Sequence, residues 1–100
     1  MSPIGQKENV MKVKLSRDDF VGLPRYALLD PILDLLLAHG NQLATTYRWG
    51  SNPTGYFAIL RKPIDFDLIE RSFEFPTSTV LNKRYGEVDY GEGTVIIRVE

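Results

Sequence analysis

Residues 56–73 read Y-F-A-I-L-R-K-P-I-D-F-D-L-I-E-R-S-F, and a change of period inside that stretch decides the fold. Tyr56 to Leu60 is a short, continuous apolar run of strand length. Arg61, Lys62 and Pro63 break it. From about Asp65 to Phe73 the apolar residues Phe66, Ile69 and Phe73 recur at three- and four-residue spacing, which puts them on one face of a helix. Asp65 suits the N-cap, because its carboxylate accepts a backbone N–H that has no partner inside the helix. Asp67, in the first turn, suits the positive pole of the helix dipole. Pro76 bounds the helix at the latest. A strand running straight into an amphipathic helix predicts a sheet with a helix packed on it.

Upstream, L-A-T-T-Y-R-W over 43–49 is rich in the β-branched and aromatic types that fit a pleated surface. Leu43, Thr45, Tyr47 and Trp49 fall on one side of such a strand. The loop G-S-N-P-T-G over 50–55 joins it to Tyr56–Leu60 as an antiparallel hairpin. Asp30-Pro31 opens another helix, with Asp as cap and Pro in the first turn, and Gly40 ends it after His39. Tyr26, Leu28 and Leu29 add a turn before Pro31. Ile32, Leu33, Leu35, Leu36 and Leu37 cover most of that helix's circumference, so it is expected to be well buried. Further back, 10–15 alternates Met11, Val13 and Leu15 against Val10, Lys12 and Lys14, the pattern of a half-buried strand. Ser16 to Asp19 cap a helical turn through Phe20 and Val21, and residues 1–9 read as a loose tail. Downstream, Thr79-Val80-Leu81 fits a short strand. The runs 85–90 and 94–99 flank Gly91-Glu92-Gly93 as a second hairpin.

These elements give the order β-α-β-β-α-β-β over a single domain at 10–100. The expected class is α+β, two layers, with a mainly antiparallel sheet and both helices on one face. The first six elements follow the split β-α-β arrangement called ferredoxin-like.

Composition narrows the function classes. With 43% hydrophobic and 25% charged residues the chain has the make-up of a globular domain, and its net charge of −1 gives little attraction to polyanions. It contains no cysteine, so neither disulfides nor thiolate chemistry enter. The longest apolar run, 32–38, is interrupted by Asp34 and falls far short of the roughly 20 residues a bilayer span needs. A cytoplasmic location without membrane contact is the expectation.

No constellation carries chemistry. His39 is the single histidine, which leaves no His pair for a metal, and a helix end suits it as a structural group. Asp65 with Asp67, and Asp18 with Asp19, are better explained by helix capping and a solvated turn than by a cation site. Gly91-x-Gly93 lacks a third glycine and opens a strand, so it is no phosphate cradle. No G-x-S-x-G occurs, and one His at a helix end offers little on which to build an activated Ser or Thr. The reading is therefore a non-catalytic domain without metal or cofactor.

The predicted order is shared with RNA-recognition domains, whose third strand carries a basic residue, Gly, an aromatic and a small residue in succession. Here Gly55 and Tyr56 fit, but Thr54 is not basic and Phe57 is not small. Nucleic acid bound on the sheet face or by basic pairs is kept only as the rival reading, and a small-ligand or enzymatic pocket as a second rival. The primary expectation is a protein-interaction or regulatory module whose partner is another protein or a second copy of itself. Tyr47, Arg48 and Trp49, beside the 50–55 loop, are of the types enriched at binding hot spots. With Tyr56, Arg61 and Lys62 they form the candidate contact set. Trp49 has two readings, a cap on the core at a strand end or an exposed anchor. Arg61-Lys62 and Lys83-Arg84 either meet an acidic partner or are simply solvated.

Overall fold

The computed structural model describes residues 12–20 and 31–100. The proposed tail over 1–9, the start of the first strand at Val10 and Met11, the turn at Tyr26, Leu28 and Leu29, and the Asp30 cap all lie outside the described residues.

The fold is α+β, built on a four-stranded antiparallel sheet. Its elements are β1 (Val13–Lys14), a 3₁₀ turn (Arg17–Phe20), α1 (Pro31–Ala38), β2 (Leu43–Trp49), β3 (Thr54–Leu60), α2 (Phe66–Ser72), β4 (Phe73–Glu74), β5 (Thr79–Asn82), β6 (Arg84–Tyr85), β7 (Val88–Asp89) and β8 (Thr94–Val99). The sheet runs in the order β2-β3-β8-β5. Tyr56 lies opposite Ile97 and Ala58 opposite Val95, so one face of β3 and β8 presents Tyr56, Ala58, Leu60, Val95, Ile97 and Val99. These residues form one core with Ile32, Leu33 and Leu36 of α1, Ile69 of α2 and Phe20. Both helices thus bury apolar stripes against the same sheet face, as expected, but α1 is not buried around most of its circumference. Ile32, Leu33 and Leu36 are covered, Leu35 is half-buried and Leu37 is 37% exposed, because the sheet covers only one side of the helix.

The helix ends follow from their residues. Asp65 Oδ1 accepts the Leu68 backbone N–H at 3.1 Å, three residues on, and caps α2. Gly40, at φ +93°, sits where α1 ends. Its N–H donates to the Leu37 carbonyl and the Asn41 N–H donates to Leu36, the paired bonds of a Schellman motif. A side-chain residue in that left-handed conformation would cost about 1–2 kcal/mol. Asn41 then clips the end of β3: its side-chain amide accepts the Lys62 N–H at 2.9 Å and donates to the Lys62 carbonyl at 3.1 Å. Ser16 and Asp19 close the 3₁₀ turn reciprocally, with the Ser16 N–H on the Asp19 carboxylate at 2.6 Å and the Asp19 N–H on the Ser16 carbonyl.

Three details of the element order differ from the sequence expectation. Among the described residues, the N-terminal strand is not part of the main sheet: β1 makes a two-residue parallel pair with β4, at the end of α2. The short strand read at Thr79-Val80-Leu81 is present as β5, but it stands in the main sheet, antiparallel to β8, where the expected seven-element order gave it no place. The run 85–90 is not one strand hairpinned to β8. It folds back on itself as β6–β7 around Gly86-Glu87, with Gly86 at φ +64°. Positive φ at the first central residue alone is the type II′ pattern, whose twist matches paired strands. The strand order is therefore not ferredoxin-like, although layers and class are as read.

Candidate functional site

The sheet has a second covered face. Alternation along β3 sends Phe57 and Ile59 away from the core, and β8 sends Ile96 to the same side, where it is completely buried. From the edge strand β2, Thr45, Tyr47 and Trp49 pair with Ile59, Phe57 and Gly55 and share this outer face. Leu43 does not: the register slips by one residue between Leu43 and Thr45, so Leu43 pairs with Leu60, whose side chain is in the core.

Aromatic rings tile this face. Tyr47 and Trp49, two residues apart on β2, stack at 6.0 Å between centroids with planes 22° apart. The β6–β7 hairpin and the segment after it bring Tyr85 and Tyr90 over from the other side. Tyr85 meets Trp49 at 5.8 Å, and Tyr90 meets Phe57 edge-on at 5.0 Å and 87°. Arg98, one strand away, lays its guanidinium 5.3 Å from the Tyr85 ring centre and pairs with Glu100 at 2.8 Å. Each ring contact of this kind adds roughly 0.5–1.5 kcal/mol beyond the area it buries.

Between the tiles and the hairpin lies an open groove of about 370 Å³ lined by Tyr47, Trp49, Ser51, Phe57, Tyr85 and Tyr90. Its floor exists because of a glycine. A Cβ on Gly55, directly opposite Trp49, would overlap the Cζ2 and Cη2 atoms of the indole. Only a residue without a side chain lets Trp49 lie flat across β3. The lining carries no charged side chain, while Tyr47, Tyr85 and Tyr90 remain 63%, 41% and 44% exposed. Among the described residues, no protein group hydrogen-bonds the hydroxyls of Tyr47, Ser51, Tyr85 and Tyr90 or the Trp49 indole N–H.

The candidate contact residues divide between the two faces. Tyr47 and Trp49 line the groove. Trp49 is half-buried on the face away from the core, so it neither caps the core nor stands clear in solvent. Tyr56 belongs to the core, with 1% of its surface exposed, and Arg48 lies on that same core side with its guanidinium 6.0 Å from the Tyr56 ring centre. Neither reaches the groove. Arg61 and Lys62 are exposed beyond the end of β3. Lys83 and Arg84 flank Asp89 at 3.9 and 3.8 Å, exposed pairs of the sort that contribute little. The sequence reading missed Phe57, Tyr85 and Tyr90 as site residues. The signal for the two tyrosines was the spacing Y-G-E-V-D-Y, in which a turn at Gly86 brings a tyrosine from either side of a tight hairpin onto one surface.

Asp19, Asp65 and His39 are engaged in local structure. Asp65 caps α2, Asp19 accepts from Ser16, and His39 Nδ1 donates to the Leu35 carbonyl at 2.9 Å. Among the described residues, no helix is long and apolar enough to cross a membrane. Comparison of the chain with protein-family models, curated proteins and solved structures found no match.

Proposed function

We propose that this domain is a non-catalytic interaction module that contacts another protein through the aromatic groove of the outer sheet face. The observation that carries this reading is the set of five rings, Tyr47, Trp49, Phe57, Tyr85 and Tyr90, around one open groove. Tyr and Trp supply large contact areas with few rotors to freeze, which is why they concentrate at binding hot spots. A core would have closed over such rings. Here three of them keep more than a third of their surface.

Capture from native extract with the wild-type chain and with Tyr85→Ala tests the reading. The wild type retains a partner that the variant loses while both keep the same thermal transition. A partner held equally by both would remove the groove from the interaction. The stacked Tyr47–Trp49 pair also favours one rival, bases of single-stranded nucleic acid laid on the rings. Phosphate contacts are strongest at low salt, so a gel shift there that disappears in Tyr47→Ala would replace the protein reading with that rival.

A further inference from the structure

We infer that the domain pairs with a second copy of itself along β5, the sheet edge opposite β2, so that two sheets continue as one. This is a second surface, and it does not depend on what the aromatic groove binds.

In an antiparallel sheet, successive residues of a strand turn their main-chain groups to alternate sides. The Glu100 N–H donates to the Ser78 carbonyl, which fixes the parity of β5. Ser78, Val80 and Asn82 face β8, and Thr79 and Leu81 turn their N–H and C=O groups outward. None of these four outward groups is hydrogen-bonded among the described residues. The two edges of the sheet are unlike. β2 has two devices that discourage pairing, a bulge between Leu43 and Thr45 and a charge at Arg48. The run T-S-T-V-L-N over 77–82 holds no charge, proline or glycine. The hairpin that follows it leans inward, with Tyr85 on Trp49 and Tyr90 on Phe57.

The shortness of β5 selects its occupant. Ordering a free peptide alongside it costs more than the few net hydrogen bonds return, so the partner strand has to arrive already ordered. The chain's own β5 does, and it fits itself. A two-fold axis at Val80 sets Thr79 of one protomer against Leu81 of its partner, where the two exchange both main-chain bonds. The same pair recurs on the other side of the axis. Val80 then meets its own copy in the closer, non-bonded type of pair, β-branched against β-branched on the outer face. Leu81, half-buried and packed against the core, meets Thr79 on the helix side. No like charges oppose one another, since Lys83 falls opposite Thr77. The contact is isologous and closed. It gives a sheet of order β2-β3-β8-β5-β5-β8-β3-β2 whose ends are the bulged, charged strands, with an aromatic groove left open towards each end.

Light scattering on the intact chain over a concentration series tests this. Twice the monomer mass is expected at high concentration and the monomer mass on dilution. Val80→Glu gains a cross-strand neighbour of opposite charge in Arg98 of its own chain, but it sets two carboxylates face to face at the axis. It is expected to stay folded and monomeric throughout. Val80→Lys should also be monomeric, and an equal mixture of the two variants should recover the dimer. Amide exchange of the wild type gives a readout without mutation. Protection at Thr79 and Leu81 should rise at least tenfold from dilute to concentrated protein, while Val80 and Asn82, bonded to β8, are protected in both. A wild-type chain that stays monomeric up to its solubility limit would overturn the inference. So would a dimer that survives Val80→Glu, or exchange at Thr79 and Leu81 that ignores concentration.

Discussion

Gly55 and Trp49 illustrate how one residue's meaning is set by another far from it in bonding distance. In the sequence Gly55 closes a loop rich in Gly, Ser, Asn and Pro, and it reads as the last residue of a turn. In the structure it is a strand residue, buried, with an indole lying across it. Its absent side chain is a space that Trp49 fills. Gly55→Ala is therefore expected to destabilise the fold by about 1–3 kcal/mol through overpacking. Urea unfolding measures this, and a double-mutant cycle assigns the cause. In a Trp49→Ala background the same Gly55→Ala change should be nearly neutral. An equal penalty in both backgrounds would place the cost in the β3 backbone and not in the indole. Tyr56 teaches the same lesson from the other side. As an aromatic in a strand it looked available for contact, but an even-numbered position on β3 faces the helices, and only the register with β8 reveals which parity is the core.

Elements were legible wherever a local rule determined them. Asp65 predicted its own helix start, because capping depends on groups only three residues away. Gly40 predicted the helix end for the same reason. Asp65→Ala is expected to cost about 0.5–2 kcal/mol, whereas Asp65→Asn, which keeps an acceptor, should cost much less. Thermal or urea denaturation of the pair checks this, and equal losses in both would mean that the carboxylate's charge matters and its capping bond does not. The β6–β7 hairpin was illegible for a physical reason. Each of its strands has two residues, too few for a period-two pattern to register, so 85–90 passed as one strand through Gly86. The same brevity hid the β1–β4 pair. The candidate groove suffered most. Tyr47 and Trp49 could be singled out from one strand, but the opposite wall comes from the hairpin whose turn had been read through.

At the scale of the molecule, one sheet serves two layers that differ in kind. On the inner face, branched aliphatic side chains meet two helices and exclude water; Val95 and Ile97 of β8 are each fully buried. The outer face is narrower, aromatic and only partly closed, and its cover is a hairpin whose four strand residues are all exposed. Stability should then be graded across the thickness of the domain. Amides with buried, doubly paired surroundings exchange only through global unfolding, while short exposed pairs open locally at small cost. Amide hydrogen exchange is expected to show the slowest rates in β3 and β8, the two central strands. Tyr85 and Val88 in the hairpin should exchange orders of magnitude faster, without denaturant. Occupying the groove bridges the mobile wall to the fixed one, so ligand should slow exchange at Tyr85, Val88 and Tyr90 and leave the β8 amides as they were. If hairpin amides proved as protected as those of β8 before any ligand was added, the outer layer would be a second core. The rings would then be closed packing, and a groove that opens to receive a partner would have no mechanical basis.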